Sequence, residues 1–82
     1  MITVEVIVPV LNQNYDFRLD EAAKISSLLE EMLEMLCRKE KRHVPESFDS
    51  FSLGYVDGGI LLHRDASLRD YQISNGAQLI LI

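Results

Sequence analysis

Between residues 2 and 36 the hydrophobic period changes once, and that switch limits the fold more than any other feature of the 82-residue chain. In ITVEVIVPV the even positions Ile2, Val4, Val6 and Val8 are apolar while Thr3 and Glu5 are polar, the period of two expected of a strand with one buried face. Ile7 breaks the alternation on the outer side. Asn12 and Asn14 give LNQN turn chemistry, and YDFRLD then sets Tyr15, Phe17 and Leu19 on one face against Asp16 and Arg18 on the other. Two strands this close predict an antiparallel hairpin. From Ala22 the period lengthens: Ile25, Leu28, Leu29, Met32, Leu33, Met35 and Leu36 wrap into a broad apolar stripe along an α-helix.

The flanks of that stripe carry end signals. Asp20 is placed to cap the first turn, and Glu21 adds favourable charge there. Arg38, Lys39, Lys41 and Arg42 complement the other end of the helix dipole, and Val44-Pro45 predicts a stop at or just before it. Ser47 to Ser50 reads as loop. FSLGYV is a third strand, with Leu53 and Tyr55 inward and Ser52, Gly54 and Val56 outward, a register that a slip of one residue would invert. Asp57-Gly58-Gly59 supplies positive-φ residues for a tight reversal into ILL. HRDASLRDYQISNGA is too polar for a long element and predicts loop with a short helical turn around Ser67 to Asp70. QLILI is the last strand.

Composition excludes several classes of function. The length allows one domain, residues 1–82, near the lower end of what an apolar core sustains without metal or disulfides. A single cysteine, Cys37, forms no internal disulfide, so a reducing cytoplasm suits the chain. The N-terminus lacks a basic region and carries Glu5 within its apolar run, unlike a signal peptide or a membrane span. A net charge of −5 argues against nucleic acid or anionic lipid as the main partner and favours a basic or apolar protein surface. Hairpin, helix, strand pair, short turn and strand, in that order, define an α+β fold: a β-grasp, with a mixed sheet packed on one main α-helix.

SLRDYQISNGAQLILI carries the most specific pattern. Leu68 and Ile73 are placed to anchor a short turn on the core, Asp70 to cap it, and Tyr71 to lie flat with its hydroxyl toward nearby backbone. Ser74-Asn75-Gly76 then reverses the chain. Leu68, Asp70, Tyr71 and Ile73 resemble the segment after the fourth strand of ubiquitin. Together with Gly76, the length and the terminal apolar strand, they make the chain similar to the YukD/EsaB family, ubiquitin-like proteins of type VII secretion systems in Gram-positive bacteria. The resemblance implies protein partners such as membrane-anchored secretion subunits or an FtsK-like ATPase.

Ubiquitin is conjugated through a flexible Gly-Gly arm, whereas this sequence ends on Leu81-Ile82, bulky where conjugation chemistry wants glycine. Gly58-Gly59 sits in a hairpin turn. The expectation is therefore a non-conjugated docking module, with no cofactor and no metal, acting as an adaptor or regulator of secretion. Two alternatives stand beside it: a modifier or sulfur carrier without its Gly-Gly tail, and a ubiquitin-like domain of a larger membrane secretion protein.

Catalysis has little support. Cys37, His43 and His63 are the thiol-type candidates, but no Cys-x-x-Cys or His-x-x-x-His spacing occurs. Glu30, Glu31 and Glu34 fall opposite the apolar stripe, where a solvated face is the default, and Glu34 with Arg38 has the favourable i,i+4 orientation. For a partner, outward apolar positions are the candidates: Ile80 and Ile82 of the last strand, Ile7 of the first as their parallel neighbour, and Val56. Self-association through this face competes with partner binding.

Overall fold

The computed structural model describes residues 1–39, 41 and 51–82. Strands β1 (Ile2–Val8) and β2 (Gln13–Leu19) form the expected hairpin and are followed by helix α1 (Ile25–Lys39), β3 (Leu53–Tyr55), β4 (Ile60–Leu61) and β5 (Gln78–Leu81). The sheet order is β2-β1-β5-β3-β4. β1 and β5 are parallel, while β1/β2, β3/β5 and β3/β4 are antiparallel. The sheet is therefore mixed, with the first and last strands side by side.

Alternation in the strands and the helical stripe meet in one core. Val4, Val6, Phe17, Leu19, Leu53, Leu79 and Leu81 cover one side of the sheet, and Ile25, Leu28, Leu29, Met32, Leu33 and Leu36 of α1 close over them, all buried. Each such side chain contributes about 1.5–3 kcal/mol when taken out of water. No polar or charged side chain is buried among the described residues. Leu53 is buried and Tyr55 packs against the core, so β3 takes the register in which Gly54 faces outward.

Several local expectations are corrected. The first reversal comes earlier than LNQN: Pro9–Leu11 forms a 3-10 turn with Asn12 left-handed at φ 53°, because Pro9 has no N–H for the ladder and its fixed φ suits a turn start. Helix α1 starts at Ile25 and not at Ala22. Asp20 does not cap it; its Oδ1 accepts the Ala22 amide at 2.9 Å and its carbonyl the Ala23 amide at 3.1 Å, forming a separate turn. The helix is held instead by backbone, with Ile25 N–H donating to Ala66 O and Ser26 N–H to Arg64 O. Glu21 therefore lies outside the first helical turn, which has no acidic residue, while Arg38 and Lys39 do occupy the last. Met35, expected in the buried stripe, is 46% exposed. Glu34 makes no ion pair with Arg38 among the described residues; Arg38 Nε donates to the Glu34 carbonyl. In the β3–β4 turn only Gly59 has positive φ, 64°, and Asp57 and Gly58 do not. Arg42, His43, Val44-Pro45 and Ser47 to Ser50 lie outside the described residues.

The segment after β4 ties the ends of the chain together. Ser67 and Asp70 cap reciprocally: Ser67 N–H donates to Asp70 Oδ2 at 2.9 Å and Asp70 N–H to Ser67 Oγ at 3.3 Å, opening the 3-10 turn Arg69–Tyr71. Leu68 and Ile73 are buried on either side of it. The Tyr71 hydroxyl accepts the His63 amide at 2.9 Å. Gly76, at φ 85°, takes a conformation that side chains disfavour. Its N–H reaches Thr3 O while Asn75 Oδ1 accepts Thr3 N–H at 2.8 Å, so the turn before β5 is fastened to β1.

Candidate docking surface

The outer face of the sheet is built by register. Ile7 pairs with Ile80, Ile80 with Gly54, and Gly54 with Leu61. These four positions form one row across β1, β5, β3 and β4, and because side chains alternate along each strand they share the face away from α1. Gly54 is the key to the row. A Cβ there would lie 2.9 Å from Ile80 Cγ2 and 3.6 Å from Leu61 Cδ2, so those two side chains close over a bare stretch of β3 backbone. Ile7 and Ile80 are half-buried and Leu61 is 62% exposed. The result is a continuous low apolar ridge.

Val56 and Ile82 stand on either side of this row. Val56 N–H donates to Gln78 O, and Ile82 exchanges both backbone bonds with Ser52. Both are exposed. Val56 shares a shallow hollow of about 330 Å³ with Gly54, Leu61 and Ile80. The structure thus brings Ile7 and Ile80 into direct register and sets Val56 and Ile82 one step away. Leu61 was missed by sequence reasoning, which treated ILL as the far arm of a hairpin without assigning its faces. Its signal was the glycine opposite, since Gly54 between two apolar strands marks where neighbours lean inward.

A polar row borders the ridge. Glu5 pairs with both Asp16 and Gln78, and Gln78 Nε2 donates to Glu5 Oε1. Together with Asp57 these residues line a shallow depression next to the apolar residues. An apolar centre with an acidic margin matches a partner surface that is apolar with basic residues around it.

The candidates for chemistry are scattered. Cys37 is half-buried near the end of α1, and His63 lies in the loop after β4 with Nδ1 accepting the Asp65 amide at 3.2 Å. Glu30, Glu31 and Glu34 are exposed on α1. Among the described residues no cluster of three or more His, Cys, Asp or Glu could hold a metal ion, and no helix is long and apolar enough to cross a membrane.

A mixed sheet in this order under one main helix, with the Leu68–Gly76 staple, defines a ubiquitin-like β-grasp protein. Solved structures agree on the fold. The ubiquitin-like domain of an Arabidopsis thaliana protein superposes with a TM-score of 0.73 at 21% identity, covering 99% of this chain and 74% of that one. The ubiquitin of Caldiarchaeum subterraneum gives 0.69 at 16% identity, covering 99% and 90%. No curated protein is significantly similar in sequence. The profile of the family described as "WXG100 protein secretion system (Wss), protein YukD" matches residues 1–81, and the chain belongs to that family.

Proposed function

We propose that this ubiquitin-like protein is a cytoplasmic docking component of a WXG100 secretion system, recruiting or regulating membrane-embedded subunits by contact and without catalysis. The observation that carries the reading is the Ile7–Ile80–Gly54–Leu61 row with its acidic margin. An apolar side chain on this face gains nothing from the core, and its neighbours are arranged so that a partner can cover it.

The test is co-purification of tagged protein with secretion subunits from detergent-solubilised membranes, comparing Leu61→Ser and an Ile7→Ser/Ile80→Ser pair with the parent. Leu61 is exposed enough for its substitution to leave the fold within about 0.5 kcal/mol. Recovery of the subunits is expected to fall about tenfold or more in both variants, in the manner of truncated interface anchors. Full recovery with folding intact, checked by circular dichroism, removes the ridge from the account.

A further inference from the structure

A second surface, on the other side of the sheet, points to a different mode of contact. β2 is an edge strand. Glu5 N–H donates to Ala77 O, so the odd residues of β1 aim their backbone at β5 and the even residues aim theirs at β2. Val4 and Val6 pair with Phe17 and Tyr15, whose backbone groups are therefore turned toward β1. That leaves the N–H and C=O groups of Asn14, Asp16 and Arg18 pointing off the edge, and no described residue bonds to them.

Alongside that edge runs an open groove of about 470 Å³ between β2 and α1. Tyr15, Asp16 and Phe17 from the strand and Met35 and Leu36 from the helix line it, together with Arg38 and Lys39. The Lys39 ammonium lies 4.9 Å from the centre of the Tyr15 ring. Met35 belongs to the apolar stripe of α1, yet this fold leaves it 46% exposed at the lip. The two cations at the mouth contrast with the net −5 of the chain.

We propose that this edge and groove bind an extended polypeptide segment as a sixth strand, with apolar side chains at alternate positions and acidic residues at the end facing Arg38 and Lys39. Three outward donor–acceptor pairs suit a segment of about five residues, given two residues per repeat. Alternate side chains of such a segment project on the same face as Tyr15 and Phe17 and enter the groove against Met35, a side chain whose flexibility suits varied apolar partners. A second copy of this chain is a poor occupant. Antiparallel pairing of two β2 edges about their middle sets Asp16 opposite Asp16, a like-charge contact.

The probe is a short synthetic peptide alternating isoleucine with threonine and ending in glutamates, added to isotope-labelled protein. Slowed hydrogen exchange at the Asn14, Asp16 and Arg18 amides is expected, with shifts at Met35. Binding falls about tenfold in an Arg38→Glu/Lys39→Glu variant, through reversed complementarity. Met35→Lys, a change at an exposed position, weakens binding comparably, while Leu61→Ser on the opposite face leaves it unchanged. Absence of protection at these three amides at millimolar peptide overturns the proposal. So does protection that grows with protein concentration alone, which assigns the edge to a second copy, or loss of peptide binding in Leu61→Ser, which moves the site to the outer ridge.

Discussion

Glu21 has a role that its position in the sequence does not announce. It reads as a helix N-terminal acid, but the helix starts later, and Glu21 Oε2 instead meets the Met1 ammonium at 3.0 Å while Oε1 lies 3.6 Å from Arg69. A hydrogen bond from its own backbone amide and then one from the N-terminal ammonium hold its carboxyl below the ordinary value of 4.5 against the opposing effect of burial, and the charges of Met1 and Arg69 add smaller effects in the same lowering direction. A folded-state pKa below the unfolded one stabilises the fold at pH above the unfolded value. That contribution is lost as pH falls through the lowered folded value. Glu21→Gln is therefore expected to lower the urea midpoint at neutral pH, with the difference from the parent shrinking as pH falls below 4.5 and through the lowered folded-state value. A gap that stays constant across this range would mean that ionisation of Glu21 does not stabilise the fold.

At the scale of elements, the periodicity located α1 and the β1–β2 hairpin but missed how their ends are made. Asp20 spends its side chain on the Ala22 amide, and the first helical amides go to Arg64 and Ala66, more than thirty residues on. No local cap rule reads that, because the partners are backbone groups delivered by the tertiary fold. β3, β4 and β5 show the reverse case, in which one residue type discloses a packing arrangement. Gly54 lets Ile80 and Leu61 meet over β3, and an added methyl at 2.9 Å collides with Cγ2 of a β-branched side chain that has little freedom to turn away. Gly54→Ala is expected to cost about 1–3 kcal/mol of unfolding free energy. In an Ile80→Ala background the cost falls by half or more, because the obstructing methyl is gone. A double-mutant cycle from denaturant unfolding measures both.

For the whole molecule, the decisive contact joins the ends of the chain. β5 lies between β1 and β3, and it is parallel to a strand that precedes it by about seventy residues. Leu79 and Leu81 are buried in the core, and losing each costs about 2–5 kcal/mol. A chain of this size has roughly 5–10 kcal/mol of total stability to lose. Deleting residues 78–82 is therefore expected to abolish cooperative unfolding and collapse the dispersion of the amide NMR spectrum. A truncated protein that still melts in one sharp transition would show that β1, β2 and α1 hold together unaided. Both proposed contact surfaces depend on this arrangement, because β5 supplies the middle of the outer ridge and β1 braces the β2 edge.

Alternation along each strand and the switch to a helical period determined which side chains face the core, the order of elements and the Leu68–Gly76 staple, since these depend on neighbours within a few residues. Ile7, Val56, Ile80 and Ile82 were legible as outward-facing for the same reason. Only the tertiary structure decided that Leu61 joins Ile7 and Ile80 in one row, that Met35 is left at the lip of a groove, and that Asn14, Asp16 and Arg18 carry the backbone edge that no described residue bonds. Lateral neighbours across a sheet are set by hydrogen bonds between segments far apart in the chain, and a one-dimensional pattern carries the face of a side chain but not the company it keeps there.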